Sequence, residues 1–284
     1  MSATTSEPAS TAAQPSVDRG VVYVATGARY LAEANESRAQ LRRSNPLLPA
    51  ALVTDDPAPG GDWQAVLPLP APTRSLRDKL HMRRAPWDRV LFLDTDTFVT
   101  ASLAPLFTLL DDGFEIIGHQ LFEGHDYQLP DVPDSFPEFN TGVLGFRNTP
   151  AVQIFFAAWD AAYGRLSSEV RCDQRSFRIA LYRSSLRHAV LTPEYNFRPL
   201  STNFAITDLR ILHGRPLADM PALKALIDVN YVHRAYVPRL GCVVSDQMTP
   251  HQAWRLWCAS SWELIKTGSR PLRQALRRPF ARKP

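Results

Sequence analysis

Cysteine is scarce, with three thiols, Cys172, Cys242 and Cys258, in 284 residues. They are too few and too scattered for a disulfide framework or a zinc cluster, and read as half-buried thiols in a reducing compartment. Long apolar runs are missing too. The most apolar stretch, Ile154 to Tyr163, is broken by Asp160 and is far too short to span a bilayer. The chain opens on Ser, Thr, Ala and Pro rather than on a basic segment followed by an apolar one. No secretory signal is therefore expected, and the chain is read as cytoplasmic. Acidic residues are absent from the C-terminal stretch that carries Lys266, Arg270, Arg273, Arg277, Arg278, Arg282 and Lys283. This stretch accounts for the net charge of +4, and the rest is near neutral or slightly acidic. No basic face with aromatic platforms is apparent, so nucleic acid is not an expected partner. Internal repeats are also absent.

What remains is ordinary globular composition, 45% hydrophobic and 21% charged, in a chain long enough to bury a core without staples. Residues 1–18 are polar and read as a disordered tail, residues 19–245 as one domain, and residues 246–284 as a helical, basic tail. Val21-Val22-Tyr23-Val24 is a β-branched strand ending in Thr26-Gly27, and a helix over Tyr30 to Arg43 follows, with Tyr30, Ala34 and Leu41 along one side. Further strands are expected at Ala50 to Val53 and Ala65 to Leu69. Ser75 to Arg84 is expected as a helix, with Ser75 and Asp78 as its capping box and Leu76 and Leu80 on one face. Val90-Leu91-Phe92-Leu93 is apolar at every position, as a parallel strand buried on both faces requires. Then come a helix at Ser102 to Leu110 and strands at Phe114 to Ile117 and Thr141 to Phe146. Thr149-Pro150 opens a helix that Gly164 closes, with the stripe Val152, Phe155, Phe156, Trp159 and Tyr163 as core packing. A helix begins near Asp173, and Arg210 to Leu212 is a strand ending at His213. Strands alternating with helices predict an α/β fold with a mainly parallel sheet.

The chemistry concentrates where the buried strand stops. Asp94 and Asp96 stand at i and i+2 at its carboxyl end, where open α/β sheets bind ligands. Two carboxylates there make a hard, oxygen-rich site suited to Mn²⁺ or Mg²⁺, whose remaining positions take phosphate oxygens and water. A nucleotide diphosphate is the natural companion. Alone, such a pair also occurs as turn-capping surface residues.

Three ordered blocks make it more specific. Leu76 to Phe107, with Leu-Arg-Asp-Lys-Leu-His and Val-Leu-Phe-Leu-Asp-Thr-Asp-Thr-Phe-Val, resembles a block of glycosyltransferase family 8, the family of glycogenin and the bacterial lipopolysaccharide galactosyltransferases. Phe139-Asn140-Thr141-Gly142-Val143 and Asp173-Gln174 are similar to two later motifs of that family, and the resemblance spans about Val21 to Gly214. It implies a single GT-A domain, Rossmann-like, that transfers a hexose from a nucleotide sugar to a glycan or other hydroxyl acceptor with retention of configuration. Asp94, Asp96 and His213 would ligate Mn²⁺ (or Mg²⁺). Lys79 and Asn140, with Thr141 beside it, would contact the donor sugar, and Asp173 and Gln174 would lie beneath its reacting face. Ala25-Thr26-Gly27 and Tyr30 would hold the base, usually uracil in this family, so the implied donor is a UDP-sugar.

The sequence departs from the family at His213-Gly214-Arg215-Pro216, where relatives carry Gly and then Lys-Pro-Trp. Arg215 is the cation available to replace that lysine at the diphosphate, since guanidinium binds phosphate in a fork. On the acceptor side, Glu123 and Asp126 are both candidates. Structural roles stand beside the functional ones: a bulge for Asn140 and Gly142, a helix N-cap for Asp173, a satisfied core imidazole for His213. Two other functions fit the same aspartates, a nucleotidyltransferase and a nucleotide-sugar-binding protein without turnover. Ala25 to Arg29 is a poor triphosphate loop, which disfavours the first. Trp254, Leu256, Trp257, Trp262 and Leu264 with the basic run are expected either to lie on an anionic bilayer or to pack on the body.

Overall fold

The first strand, β1 (Arg19–Ala25), places Val21 and Tyr23 on one face of a sheet and Val22 on the other, as the two-residue repeat of a strand dictates. The computed structural model describes residues 18–121, 128–166, 172–229, 233–245 and 247–276. The expected N-terminal tail over 1–17, the acceptor candidates Glu123 and Asp126, and the end of the basic tail lie outside the described residues.

The elements follow in the order α1 (Ala28–Ser44), β2 (Ala50–Thr54), β3 (Ala65–Pro68), a 3₁₀ helix (Leu76–Arg84), β4 (Arg89–Leu93) and β5 (Thr97–Val99). Then come α2 (Ala104–Asp111), β6 (Ile116–Gln120), β7 (Phe139–Arg147), α3 (Pro150–Leu166), α4 (Gln174–Tyr182) and β8 (His188–Leu191). The last stretch holds β9 (Asn203–Ala205), β10 (Ile211–His213), α5 (Met220–Ile227), β11 (Arg234–Val237), β12 (Cys242–Ser245) and α6 (Pro250–Leu276). Seven strands form one sheet in the order β3-β2-β1-β4-β7-β6-β8. Six are parallel and β7 alone runs against its neighbours β4 and β6. The mainly parallel α/β sheet expected from the sequence is therefore present. Small antiparallel ribbons, β5 with β10 and β9-β11-β12, complete the described fold.

Two layers of core flank the sheet. On one face Val22, Val53, Phe92 and Phe146 meet Val152, Phe155, Phe156 and Trp159 of α3 and Phe177 of α4. On the other, Tyr23, Leu52, Leu91 and Leu93 meet Leu31, Ala34 and Leu41 of α1 and Leu106, Phe107 and Leu110 of α2. Each large side chain removed from water contributes about 1.5–3 kcal/mol, so these layers dominate the stability of the sheet. A third, separate core gathers Phe197, Leu209, Leu212, Leu217, Met220, Ile227 and Tyr236, with Phe98 of β5 packed against it.

Several local expectations are corrected. Tyr30 is exposed, and the buried side of α1 runs instead through Leu31, Ala34, Ser37, Arg38 and Leu41. The segment after Ser75 is 3₁₀ rather than α-helical, so Leu76 is exposed while Leu80 is buried. The Asp78 carboxylate does not close a capping box on Ser75: it accepts from the backbone N–H groups of Thr73 and Arg74 and from the Thr26 and Thr73 hydroxyls. Gly164 does not end α3, which runs on to Leu166. The strand expected at Phe114 starts at Ile116. Thr149 does cap α3, its hydroxyl accepting from Val152 N–H at 3.3 Å. All three cysteines are free, with Cys242 buried and the other two half-buried. No described helix is long and apolar enough to cross a membrane.

Candidate functional site

Strand order reverses between β1 and β4: from β1 the chain goes outward to β2 and β3, then returns to add β4 on the other side. Such a switch point leaves a crevice at the strands' carboxyl ends. A cavity of about 640 Å³ opens there, lined by the residues after β1 (Thr26 to Tyr30) and after β4 (Asp94 to Asp96), among others. Asn140, Thr141 and Gly142 of β7, together with Lys79, Asp173, Gln174, His213 and Arg215, complete its wall.

The loop after β1 is shaped by Gly27, whose φ of 86° falls where a side chain would be strained. Its N–H donates to Asp55 Oδ1 at 2.9 Å, tying the loop to the end of β2. Asp78 pins the facing loop through Thr26, Thr73 and Arg74. Tyr30, one turn into α1, projects toward the opening, and Arg215 lies over its ring at 5.6 Å. Two residues expected at the site stand back from the cavity wall. Ala25 is buried in the core beneath α1. Gly214 packs toward Pro199, Leu200 and Met220, and its N–H donates to the Asp96 carbonyl.

Asp94, Asp96 and His213 converge, with one potential ligand atom from each lying within 4.8 Å of the others. His213 Nε2 is 3.6 Å from Asp94 Oδ2 and 3.4 Å from Asp96 Oδ1. Backbone pairing makes this possible, because β10 lies antiparallel to β5 with His213 opposite Thr97. Burial pushes the Asp94 carboxyl up. Burial also acts to raise Asp96, but His213 and Arg215 outweigh it and hold that carboxyl well below its ordinary value. Two carboxylates and an imidazole are a donor set for a divalent ion such as Mn²⁺, and the residues present fit one.

The space among them is kept by Gly142. A Cβ there would stand 2.0 Å from His213 Cε1 and 2.7 Å from Asp94 Oδ2. Pairing between β6 and β7 slips at this point, so that Thr141 to Val143 have no partner on β6. The bulge considered for Asn140 and Gly142 is thus present, and it serves the cavity. The Asn140 side chain accepts from Gly142 N–H and from Asn196 Nδ2, both at 3.0 Å. Its own Nδ2 is buried and has no hydrogen-bond partner among the described residues.

Lys79 links the two sides of the cavity. Its ammonium is 3.1 Å from Asp94 Oδ2 and 3.5 Å from Asp173 Oδ2. Burial opposes that charge, but Asp173 and Asp94 overcome it and hold the ammonium above its usual pKa. Asp173 does stand at the N-cap position of α4, yet its side chain makes no capping bond and accepts from the Thr141 hydroxyl at 2.7 Å instead. Gln174 opens α4 and lines the cavity beside it.

Arg215 meets the trio from outside, donating to Asp96 Oδ2 at 2.9 Å and to both Glu33 carboxylate oxygens at 2.8 Å. Glu33 also accepts from Thr95 Oγ1 at 3.0 Å. Glu33 and Asn196 were not found from the sequence. Glu33 sits on α1 among ordinary surface charges, and Asn196 has no motif about it; each acquires its role only through partners far along the chain.

No sequence-family profile and no curated protein sequence matches the chain. Solved structures do. The galactosyltransferase LgtC, solved in complex with donor and acceptor sugar analogs, superposes with a TM-score of 0.54 at 15% identity. The match covers 69% of this chain and 87% of that one. The glycosyltransferase GlyE of Streptococcus pneumoniae TIGR4 matches with a TM-score of 0.50 at 20% identity, over 69% of this chain and 54% of its own. The chain has the GT-A fold these glycosyltransferases share, as the sequence blocks implied.

Proposed function

We propose that this protein is a metal-dependent glycosyltransferase that moves a hexose from a nucleotide sugar, a UDP-sugar, to a hydroxyl acceptor with retention of anomeric configuration. One observation carries the reading: Asp94, Asp96 and His213 converge on a cavity at the sheet's switch point, of a size for a nucleotide sugar. Asp94, Asp96 and His213 would hold Mn²⁺ (or Mg²⁺), which when bound offsets charge on a departing diphosphate. The chain's own groups supply the rest. Three of the five N–H donors of Arg215 are engaged by Glu33 and Asp96. The remaining two are free to bind phosphate oxygens, so Arg215 takes the place of the family's lysine. The buried Nδ2 of Asn140 offers a donor to a sugar hydroxyl. Thr26, Gly27 and Tyr30 line the end of the cavity suited to the base. Asp173, held by Thr141 and Lys79, presents negative charge toward the reacting face of the sugar, where oxocarbenium character develops.

The test is a thermal-shift titration with UDP, GDP and ATP, each with and without Mn²⁺. We expect UDP to stabilise the protein only when Mn²⁺ is present, and Asp94→Asn and Asp96→Asn to abolish that shift together with sugar transfer. Preference for ATP would favour a nucleotidyltransferase. No response to any nucleotide by folded protein would overturn the assignment.

The acceptor side includes a membrane surface in this proposal. On α6, Trp254, Trp257, Trp262 and Leu264 are exposed by 61%, 67%, 59% and 71%, and their spacing puts them on one side of the helix. The opposite side faces the body: α6 packs on β12, and Glu263 pairs with Arg239 at 3.1 Å. No acidic residue follows Glu263 in the sequence, while seven Lys and Arg do. An apolar face followed in sequence by cations suits an anionic bilayer and an acceptor carried on lipid. The variant with Trp254, Trp257 and Trp262 all changed to Ser should co-sediment several-fold less with phosphatidylserine vesicles, at an unchanged UDP-dependent thermal shift. Equal co-sedimentation would remove the membrane from the proposal.

A further inference from the structure

We infer that Asn196 is a positioning residue that fixes the ring tautomer of His213 and thereby presents its Nε2 lone pair to a divalent ion. The inference rests on the reading above, that the Asp94, Asp96 and His213 trio holds such an ion.

Asn196 is fully buried and does not line the cavity, so it touches neither donor nor acceptor. It follows a short 3₁₀ turn, Pro193–Tyr195, and precedes Phe197, which bridges to Leu212 of β10. Backbone bonds from Phe197 N–H to the Ile211 carbonyl and from His213 N–H to the Phe197 carbonyl, at 2.9 and 2.8 Å, lock the two segments side by side. The Asn196 side chain is thereby held against the imidazole, and His213 Nδ1 lies 2.9 Å from Asn196 Oδ1.

The proton assignment follows from a backbone group. Gly142 N–H can only donate, and it is 3.0 Å from the Asn140 side chain, which must therefore present its oxygen there. Asn196 meets that same oxygen at 3.0 Å and must present its NH₂. Its carbonyl oxygen is then the atom facing the ring, and a carbonyl oxygen can only accept. The proton must sit on His213 Nδ1. In the neutral ring, Nε2 is then left with its lone pair directed at Asp94 and Asp96. A hydrogen-bond chain that begins at a main-chain N–H thus ends by choosing the ligand atom. Removing such an outer partner of a metal-binding histidine typically lowers metal affinity by about 10- to 100-fold.

The experiment is a Mn²⁺ titration of the full chain, read by the electron paramagnetic resonance signal of free Mn²⁺, without substrate and again with UDP. Asn196→Leu keeps the volume but makes neither bond, and Asn196→Ala stands in should leucine not be accommodated; circular dichroism checks folding. Both should lose about 10- to 100-fold in Mn²⁺ affinity. Asn196→Asp loses the bond to Asn140 Oδ1 but still accepts from Nδ1, and should lose less Mn²⁺ affinity than either. Packing alone predicts the opposite order, because a buried carboxylate is a worse replacement for asparagine than an apolar isostere. Mn²⁺ binding by Asn196→Ala as tight as wild type, or Asn196→Asp no better than alanine, would overturn the inference. Failure of the wild-type chain to bind Mn²⁺ in either condition would instead overturn the reading on which it rests.

Discussion

Gly142→Ala should abolish divalent-metal binding while leaving the protein folded. The added methyl would meet His213 Cε1 at 2.0 Å and Asp94 Oδ2 at 2.7 Å. Neither neighbour can yield cheaply. The imidazole is bonded to Asn196, and the Asp94 carboxylate is held by Lys79. Gly142 lies within β7 and has no positive φ, so the backbone itself accepts alanine and only the space refuses it. The ring must therefore swing out of the trio. Overpacking of this kind costs about 1–3 kcal/mol of stability, which a domain of this size tolerates. The loss of function should be much larger, with the Mn²⁺-dependent thermal shift by UDP disappearing and transfer falling to background. A shift of wild-type size in the alanine variant would show that His213 is no ligand.

Lys79→Met should carry the largest stability penalty of any single change at the site. Methionine fills the volume but leaves Asp94 and Asp173 without the ammonium that lies 3.1 and 3.5 Å from them. Breaking a buried ion pair by removing one partner costs about 3–5 kcal/mol. At about 2–4 °C per kcal/mol, the melting temperature should fall by about 10 °C. Mn²⁺ should then stabilise the variant more than it stabilises the wild type, because the ion restores positive charge beside Asp94. Differential scanning calorimetry with and without Mn²⁺ measures both effects. A melting temperature within 2 °C (about 1 kcal/mol) of the wild type would mean that the ammonium is not the counter-charge the geometry suggests.

What could be read in the sequence was whatever has a short-range signature. Val90 to Leu93 announced a strand buried on both faces, and the abrupt change to Asp94 placed the carboxylates at its end. Thr149-Pro150 marked the start of α3 for the same local reason. Where tertiary contacts decide, local rules failed. Gly164 interrupts a helix pattern at a cost of only about 1 kcal/mol, and α3 runs through it. Strands β5 and β9 have three residues each, too few for an alternation to register, yet β5 pairs with β10, the strand expected before His213, and so brings His213 to the aspartates. Tyr30 fits the spacing of a buried face, but it stands over the opening because Leu31 occupies the core position. Glu33 was invisible for a different reason: its significance lies wholly in Arg215 and Thr95, distant in sequence.

The position of the third core has a bearing on the order in which the protein becomes competent. Every strand of the seven-stranded sheet is complete by Leu191. The core around Phe197, Leu212 and Met220 belongs almost wholly to later residues and rests on the sheet portion through Phe98. Asp94 and Asp96 lie on the earlier side of that seam, His213 and Arg215 on the later one. During synthesis the sheet can therefore assemble first. The trio is complete only once the segment from Thr192 to Arg215 docks, so a nascent or truncated chain carries the aspartates without the histidine that joins them.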